Sequence, residues 1–133
     1  MKIFELSPIL WTKNLTDTVA FYEGVLGFKG HSNFTDFVSL EKDDTRIMFV
    51  VPQEEPEDCK DTEDNDPFFP KPILTGSIYL FIDHVDGFWE QVKDKAKVKT
   101  TVADRAYLMR DFSILDNNGY ELVFGQDISR NSK

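Results

Sequence analysis

The feature that most constrains this chain is an internal repeat. In Asn14–Phe28, NLTDTVAFYEGVLGF, the residues Leu15, Val19, Tyr22 and Leu26 recur at the spacing of one apolar helix face. Asn14 is placed to cap that helix, and Asp17 to face its free amide hydrogens. Gly27 is placed to end it in a left-handed conformation. At an offset of 70, Val85, Trp89, Val92 and Ala96 repeat the stripe. The same offset lays Ser7, Leu10, Trp11, Asn14 and Leu15 on Ser77, Leu80, Phe81, His84 and Val85. An offset of 75 lays Phe37, Leu40, Ile47 and Phe49 on Phe112, Leu115, Leu122 and Phe124, and the turn Glu41–Asp44 on Asp116–Gly119. Stripes, turns and strand order agree together, which marks a duplication.

Around each helix the sequence reads as strands. A first strand spans 3–13, with Pro8 early in it as edge strands tolerate. Short β-prone runs follow at Phe28–Ser32, Asp36–Leu40 and Arg46–Val51. The second half offers Ser77–Ile82, then the helix, then Val98–Val102, Ala106–Leu115 and Tyr120–Gly125. Each half is therefore a strand, a helix and three strands: module one at about 1–51 and module two at about 74–127, inside one domain of 133 residues.

The halves are joined by 52–73, expected to be an acidic linker. The formal charge is −9, and this segment holds eight Asp or Glu against two Lys, so two thirds of the excess sits there. It also carries five of the six prolines and the pair Phe68-Phe69. Such a surface repels phosphate, so nucleic acid is not an expected partner. Nor is a membrane: no run of about eighteen apolar residues exists. No leader-like apolar core follows Met1, and Cys59 stands alone, so the cytoplasm is the expected compartment.

The runs FYEGVLGF at 21–28 and DNNGYELVF at 116–124, with the junctions NLTD and HVDG, resemble the glyoxalase, bleomycin-resistance and extradiol-dioxygenase superfamily. The resemblance implies an α+β chain of the vicinal oxygen chelate fold, two tandem βαβββ modules forming a cupped mixed sheet, commonly as a homodimer. In metal-dependent members, ligands come from the first and last strand of each module. The matching positions here are Ser7, Met48, Ser77 and Val123. None is a customary ligand for a divalent metal, where imidazole and carboxylate dominate. No metal and no other cofactor is therefore expected, and no catalytic residue is assigned.

The remaining polar residues give no substitute centre. His31 and His84 lack metal-ligand spacing, and no nucleophile-elbow, phosphate-loop or dinucleotide motif is present. Glu121 shares a strand face with Val123, and its counterpart is Arg46, two before Met48. These two could pair, orient a ligand or lie at a rim. An unpartnered, buried Glu121 could act as a base. The candidate ligand-contacting set is Phe34, Phe37, Arg46, Met48, Tyr79, Tyr107, Met109, Phe112 and Glu121, while Trp11 and Phe81 are expected beneath the helices.

An aromatic-lined site without a metal suits a flat molecule that is held rather than transformed. The expected function is sequestration of an aromatic or cationic small molecule, as in the bleomycin-resistance branch. Resemblance to drug-binding members does not by itself establish antibiotic resistance. The alternative is a lyase, isomerase or dioxygenase of the same superfamily.

Overall fold

The computed structural model describes residues 1–32, 34–52 and 73–129. The linker expected at 52–73 falls, apart from its two ends, outside the described residues, as do Cys59, Phe68 and Phe69. The chain divides into two compact units between Pro72 and Ile73.

The first unit runs β1 (Ile9–Trp11), α1 (Leu15–Gly24), β2 (Lys29–His31), β3 (Phe37–Lys42) and β4 (Thr45–Val50). Its strands lie in the order β1-β4-β3-β2, with β1 parallel to β4 and the other pairs antiparallel. Asn14 caps α1 as its position predicts: its Oδ1 accepts from the Asp17 backbone N–H at 2.9 Å. Gly27 takes φ +78°, a backbone that a side chain disfavours. Tyr22 is fully buried and packs edge-on to Phe28 and tilted against Phe49, at ring-centroid distances of 5.7 and 5.3 Å. Val38, Leu40 and Ile47 complete that core beside α1. The helix also buries Thr18, a position outside the apolar stripe; its hydroxyl meets the buried Thr12 hydroxyl at 2.9 Å and thereby satisfies both.

The second unit repeats the plan with β5 (Ile78–Phe81), α2 (Val85–Val92), β6 (Lys97–Asp104), β7 (Met109–Leu115) and β8 (Glu121–Asp127), in the order β5-β8-β7-β6. Fully buried Phe112, Ile114 and Leu122, together with Phe124, face α2, and Phe88 and Trp89 of the helix pack on these rings. Burial of one such side chain is worth about 1.5–3 kcal/mol. The capping differs between units. His84 sits in the left-handed region at φ 48° and makes no side-chain cap. The side chain of Gln126 takes over, its Oε1 accepting from the Val85 N–H at 2.9 Å.

The observed registers refine the repeat. Ile9 pairs with Met48 and Tyr79 with Val123, which confirms offsets of 70 for the first strands and 75 for the last. Between Glu41 and Arg46, a bonded pair, lie four residues, whereas between the equivalent pair Leu115 and Glu121 lie five. The β3-to-β7 offset is therefore 74, not the 75 expected from sequence. A slip of one residue exchanges the two faces of a strand. Phe112 thus corresponds to Val38 and lies against α2, and the residue standing where Phe37 stands is Asp111.

These elements make an α+β chain of two tandem βαβββ modules, the vicinal oxygen chelate arrangement. No helix among the described residues is long and apolar enough to cross a membrane.

Candidate functional site

Side chains alternate across a strand, so each sheet has one face toward its helix and one away from it. On the second sheet, cross-strand pairing builds two rows on the face away from α2. One row is Tyr79, Val123, Ser113 and Thr100; the next is Phe81, Gly125, Asp111 and Ala103. In the first row the Thr100 and Ser113 hydroxyls meet at 2.9 Å. In the second, Gly125 leaves a gap, and the Tyr79 phenol fills it.

Asp111 is the centre of this face. It is 3% exposed, and a carboxylate there is costly unless it is fully bonded. Its Oδ2 accepts from the Tyr79 hydroxyl at 2.9 Å and from the Tyr107 hydroxyl at 2.6 Å. Its Oδ1 accepts from Arg105 Nε at 2.8 Å. Burial pushes the Asp111 carboxyl up, but the hydrogen bonds from Tyr107, Arg105 and Tyr79 outweigh it and hold the group below the usual carboxylate range. The two phenols shift the other way. Tyr79 is raised by burial and then by its bond to Asp111, Tyr107 chiefly by its bond to Asp111. The resting state is an ionised Asp111 with two protonated phenols and a guanidinium around it.

The connection from β6 to β7 positions two of these donors. The pairing of β6 with β7 shifts register between Thr100 and Ala103, and Arg105 Nη2 donates to the Thr101 carbonyl at 2.8 Å and to the Asp111 carbonyl at 3.2 Å. The turn closes with Leu108 N–H on the Arg105 carbonyl at 3.1 Å, and Leu108 holds φ 64°. A leucine in that region is strained, so the turn that presents Tyr107 is fixed at some cost. Tyr107 lies in this turn and not on a strand, where the sequence had suggested it.

The other candidate residues disperse. Phe34 is exposed and edge-on to Phe37 at 6.4 Å, with Phe37 on the face away from α1. Arg46 and Met48 share that face; Arg46 pairs with Glu5 at 3.3 Å and Glu41 at 3.9 Å. Met109 lies on the same face of β7 as Asp111. Glu121 lies on the Val123 face, paired with Lys99 at 3.1 Å, so it is not the unpartnered base considered above. Phe112 is a correction: it is fully buried against α2 and cannot contact a ligand on the Asp111 face. Trp11 and Phe81 are a second correction. Trp11 shares the face of Met48 and Val50, and Phe81, 77% exposed, shares that of Tyr79 and Gly125; neither lies beneath a helix.

The metal positions of the superfamily can be tested against this geometry. Met48 and Val123 occupy equivalent places, neighbours of Ile9 and Tyr79. Ser7 and Ser77 precede the strands, and the Ser7 hydroxyl is bonded to Glu5. A thioether, an aliphatic side chain and two hydroxyls do not form a donor set for a divalent cation. Among the described residues no group of three or more His, Cys, Asp or Glu is arranged to hold one. The carboxylate one row from Val123, Asp111, already accepts three hydrogen bonds.

Sequence reasoning missed Asp111 and Arg105. The available signal was Ser39 against Ser113 with Leu40 against Ile114, an alignment at 74 that moves Asp111 onto the face of Tyr79.

Comparison with known proteins agrees with the geometry. The family model for the Glyoxalase/Bleomycin resistance protein/Dioxygenase superfamily matches residues 5–124. A glyoxalase-related enzyme from Clostridium phytofermentans has 18% identity over 96% of this chain and 98% of its own, at a TM-score of 0.70. A protein of unknown function from Agrobacterium tumefaciens has 17% identity over 95% of each chain, also at 0.70. A glyoxalase/bleomycin resistance protein/dioxygenase from Alicyclobacillus acidocaldarius has 13% identity over 95% of this chain and 92% of its own, at 0.69. Likeness at these identities carries the fold and not the activity. No curated protein matches the sequence. With the model spanning nearly the whole repeat, the chain belongs to the glyoxalase/bleomycin resistance protein/dioxygenase superfamily.

Proposed function

We propose that this protein binds a small aromatic molecule without the help of a protein-held divalent metal, in the manner of the bleomycin-resistance branch. The observation that carries this reading is the face of the second sheet away from α2. There a hydrogen-bonded polar centre at Asp111 is flanked by the rings of Tyr79, Tyr107 and Phe81. Exposed aromatic rings around fixed polar groups are the usual makeup of a small-molecule site. The superfamily's metal positions, read as Ser7, Met48, Ser77 and Val123, support holding over metal-assisted transformation.

The second reading is a lyase, isomerase or dioxygenase, supported by the fold likeness to the glyoxalase-related enzyme. Native mass spectrometry with elemental analysis of the gently purified protein separates the two. A co-purifying organic ligand with no stoichiometric metal is the expected result. Close to one zinc, nickel, iron or manganese per chain, lost on substitution at 7, 48, 77 or 123, would overturn it.

A further inference from the structure

The geometry points to Arg105 as the anchor of the Asp111 face, and to a planar aromatic ligand that offers it a carboxylate or carbonyl oxygen instead of a cationic group. This rests on the face away from α2 being the binding surface.

Asp111 is a poor target for a cation, being buried with three of its about four acceptor sites already taken. It is 3% exposed and takes Arg105 on one oxygen and both phenols on the other. A cationic ligand approaching it would also meet the like charge of the Arg105 guanidinium, which lies 2.8 Å from the carboxylate. Glu121, on the same face, is held by Lys99 at 3.1 Å. Asp111 and Glu121 are therefore both engaged by cationic side chains of the same unit.

What remains open is of the opposite kind. Arg105 spends Nε on Asp111 and Nη2 on two backbone carbonyls. Its Nη1 has no partner among the described residues, and the side chain is 29% exposed. A guanidinium presents its donors in a rigid planar fork, suited to a carboxylate or carbonyl oxygen. Because Asp111 and Thr101 already fix it, little freedom is lost when a ligand adds one more bond. Both phenol protons point to Asp111, so their oxygens can only accept from a ligand. Phe81 and Tyr107, 77% and 61% exposed, supply ring faces beside this edge, with Phe81 at 5.0 Å from Tyr79. A flat ring bearing an oxygen acceptor satisfies the donor and the apolar surface together.

The test titrates the whole protein with benzoate, benzamide and benzylamine, which share a ring and differ in the polar group. NMR follows the backbone amides and the Arg105 Nε–H. Benzoate or benzamide is expected to shift Arg105, Tyr107 and Phe81, with the better of the two telling carboxylate from neutral carbonyl. Benzylamine is expected to bind at least about tenfold more weakly. Arg105→Lys keeps the charge, removes the fork and should weaken the better probe by a similar factor. Should that variant fail to fold, the wild-type shift map and Tyr107→Phe decide. Benzylamine binding best, or probes that bind this face and leave Arg105 unmoved, overturn the inference while the binding face stands. Probes that miss the face altogether overturn both.

Discussion

The phenol of Tyr79 reaches Asp111 by lying across Gly125. A Cβ on Gly125 would come within 2.7 Å of Tyr79 Cζ and 2.9 Å of Cε1, closer than real contacts allow. Gly125 does not hold a positive φ, so its role here is space. Gly125→Ala should force the ring aside, break the bond to Asp111 and cost about 1–3 kcal/mol. In a Tyr79→Ala background the same substitution should cost far less. Urea unfolding of the four proteins in this cycle checks it, and additive costs would refute the contact.

The Asp111 centre sets both ends of the pH profile. The native Asp111 carboxyl is held low, so its contribution to stability is present above the ordinary carboxylate range and is lost as pH falls through the depressed native value. The phenols are held high, so theirs is present below the ordinary phenol value of 10.0 and declines as pH rises beyond it. Asp111→Asn should cost roughly 3 kcal/mol at neutral pH and flatten the acid limb. Tyr79→Phe should flatten the alkaline limb. Denaturant midpoints measured across pH give the answer; parallel profiles for wild type and variants would contradict the assignment.

The two helices should respond oppositely to substitution at equivalent N-caps. Asn14→Ala removes a cap and should cost about 1 kcal/mol. At His84 the side chain caps nothing and the backbone is left-handed, so His84→Gly should stabilise by up to about 1 kcal/mol. Gln126→Ala should destabilise by about 1 kcal/mol, since the Val85 N–H then loses its acceptor. Thermal unfolding of the three variants is sufficient, and a destabilised His84→Gly would count against the account.

A homodimer is the expected assembly. β1 and β2 end the first sheet, β5 and β6 the second, and such edges are normally covered. Deleting 54–66 should leave the dimer intact, because a net charge of −6 over 52–73 disfavours that segment at a contact between copies. Sedimentation showing only monomer at all working concentrations would refute the assembly.

The fold was legible because its signals are local. The two helices, the Asn14 cap and the left-handed Gly27 follow from neighbours a few residues away, and the structure reproduces them. The helices are nevertheless shorter than their stripes: α1 stops at Gly24 and α2 at Val92, short of Leu26 and Ala96 and of the Gly27 expected to end α1. The site was half legible. Tyr79 and Tyr107 could be selected as aromatics of the second half, but the charge they serve could not. That choice depended on the length of one connection, since a single residue between Leu115 and Glu121 decides which face of β7 carries Asp111 and which carries Phe112. Gln126 as the cap of α2 was equally hidden, lying 41 residues from the amide it satisfies.

That extra residue has a consequence for how doubled proteins diversify. Point substitution changes one side chain at a time, whereas lengthening a hairpin turns over a whole strand's worth of surface while leaving its sequence untouched. The face that shows Phe37 in one half shows Asp111 in the other, and the buried layer is refilled by Phe112 and Ile114 in the same stroke. Swapping the short connection of the first half into the second should therefore not be neutral grafting. It would bring an aspartate up against Phe88 and Trp89, and the two halves, alike in outline, are no longer exchangeable parts.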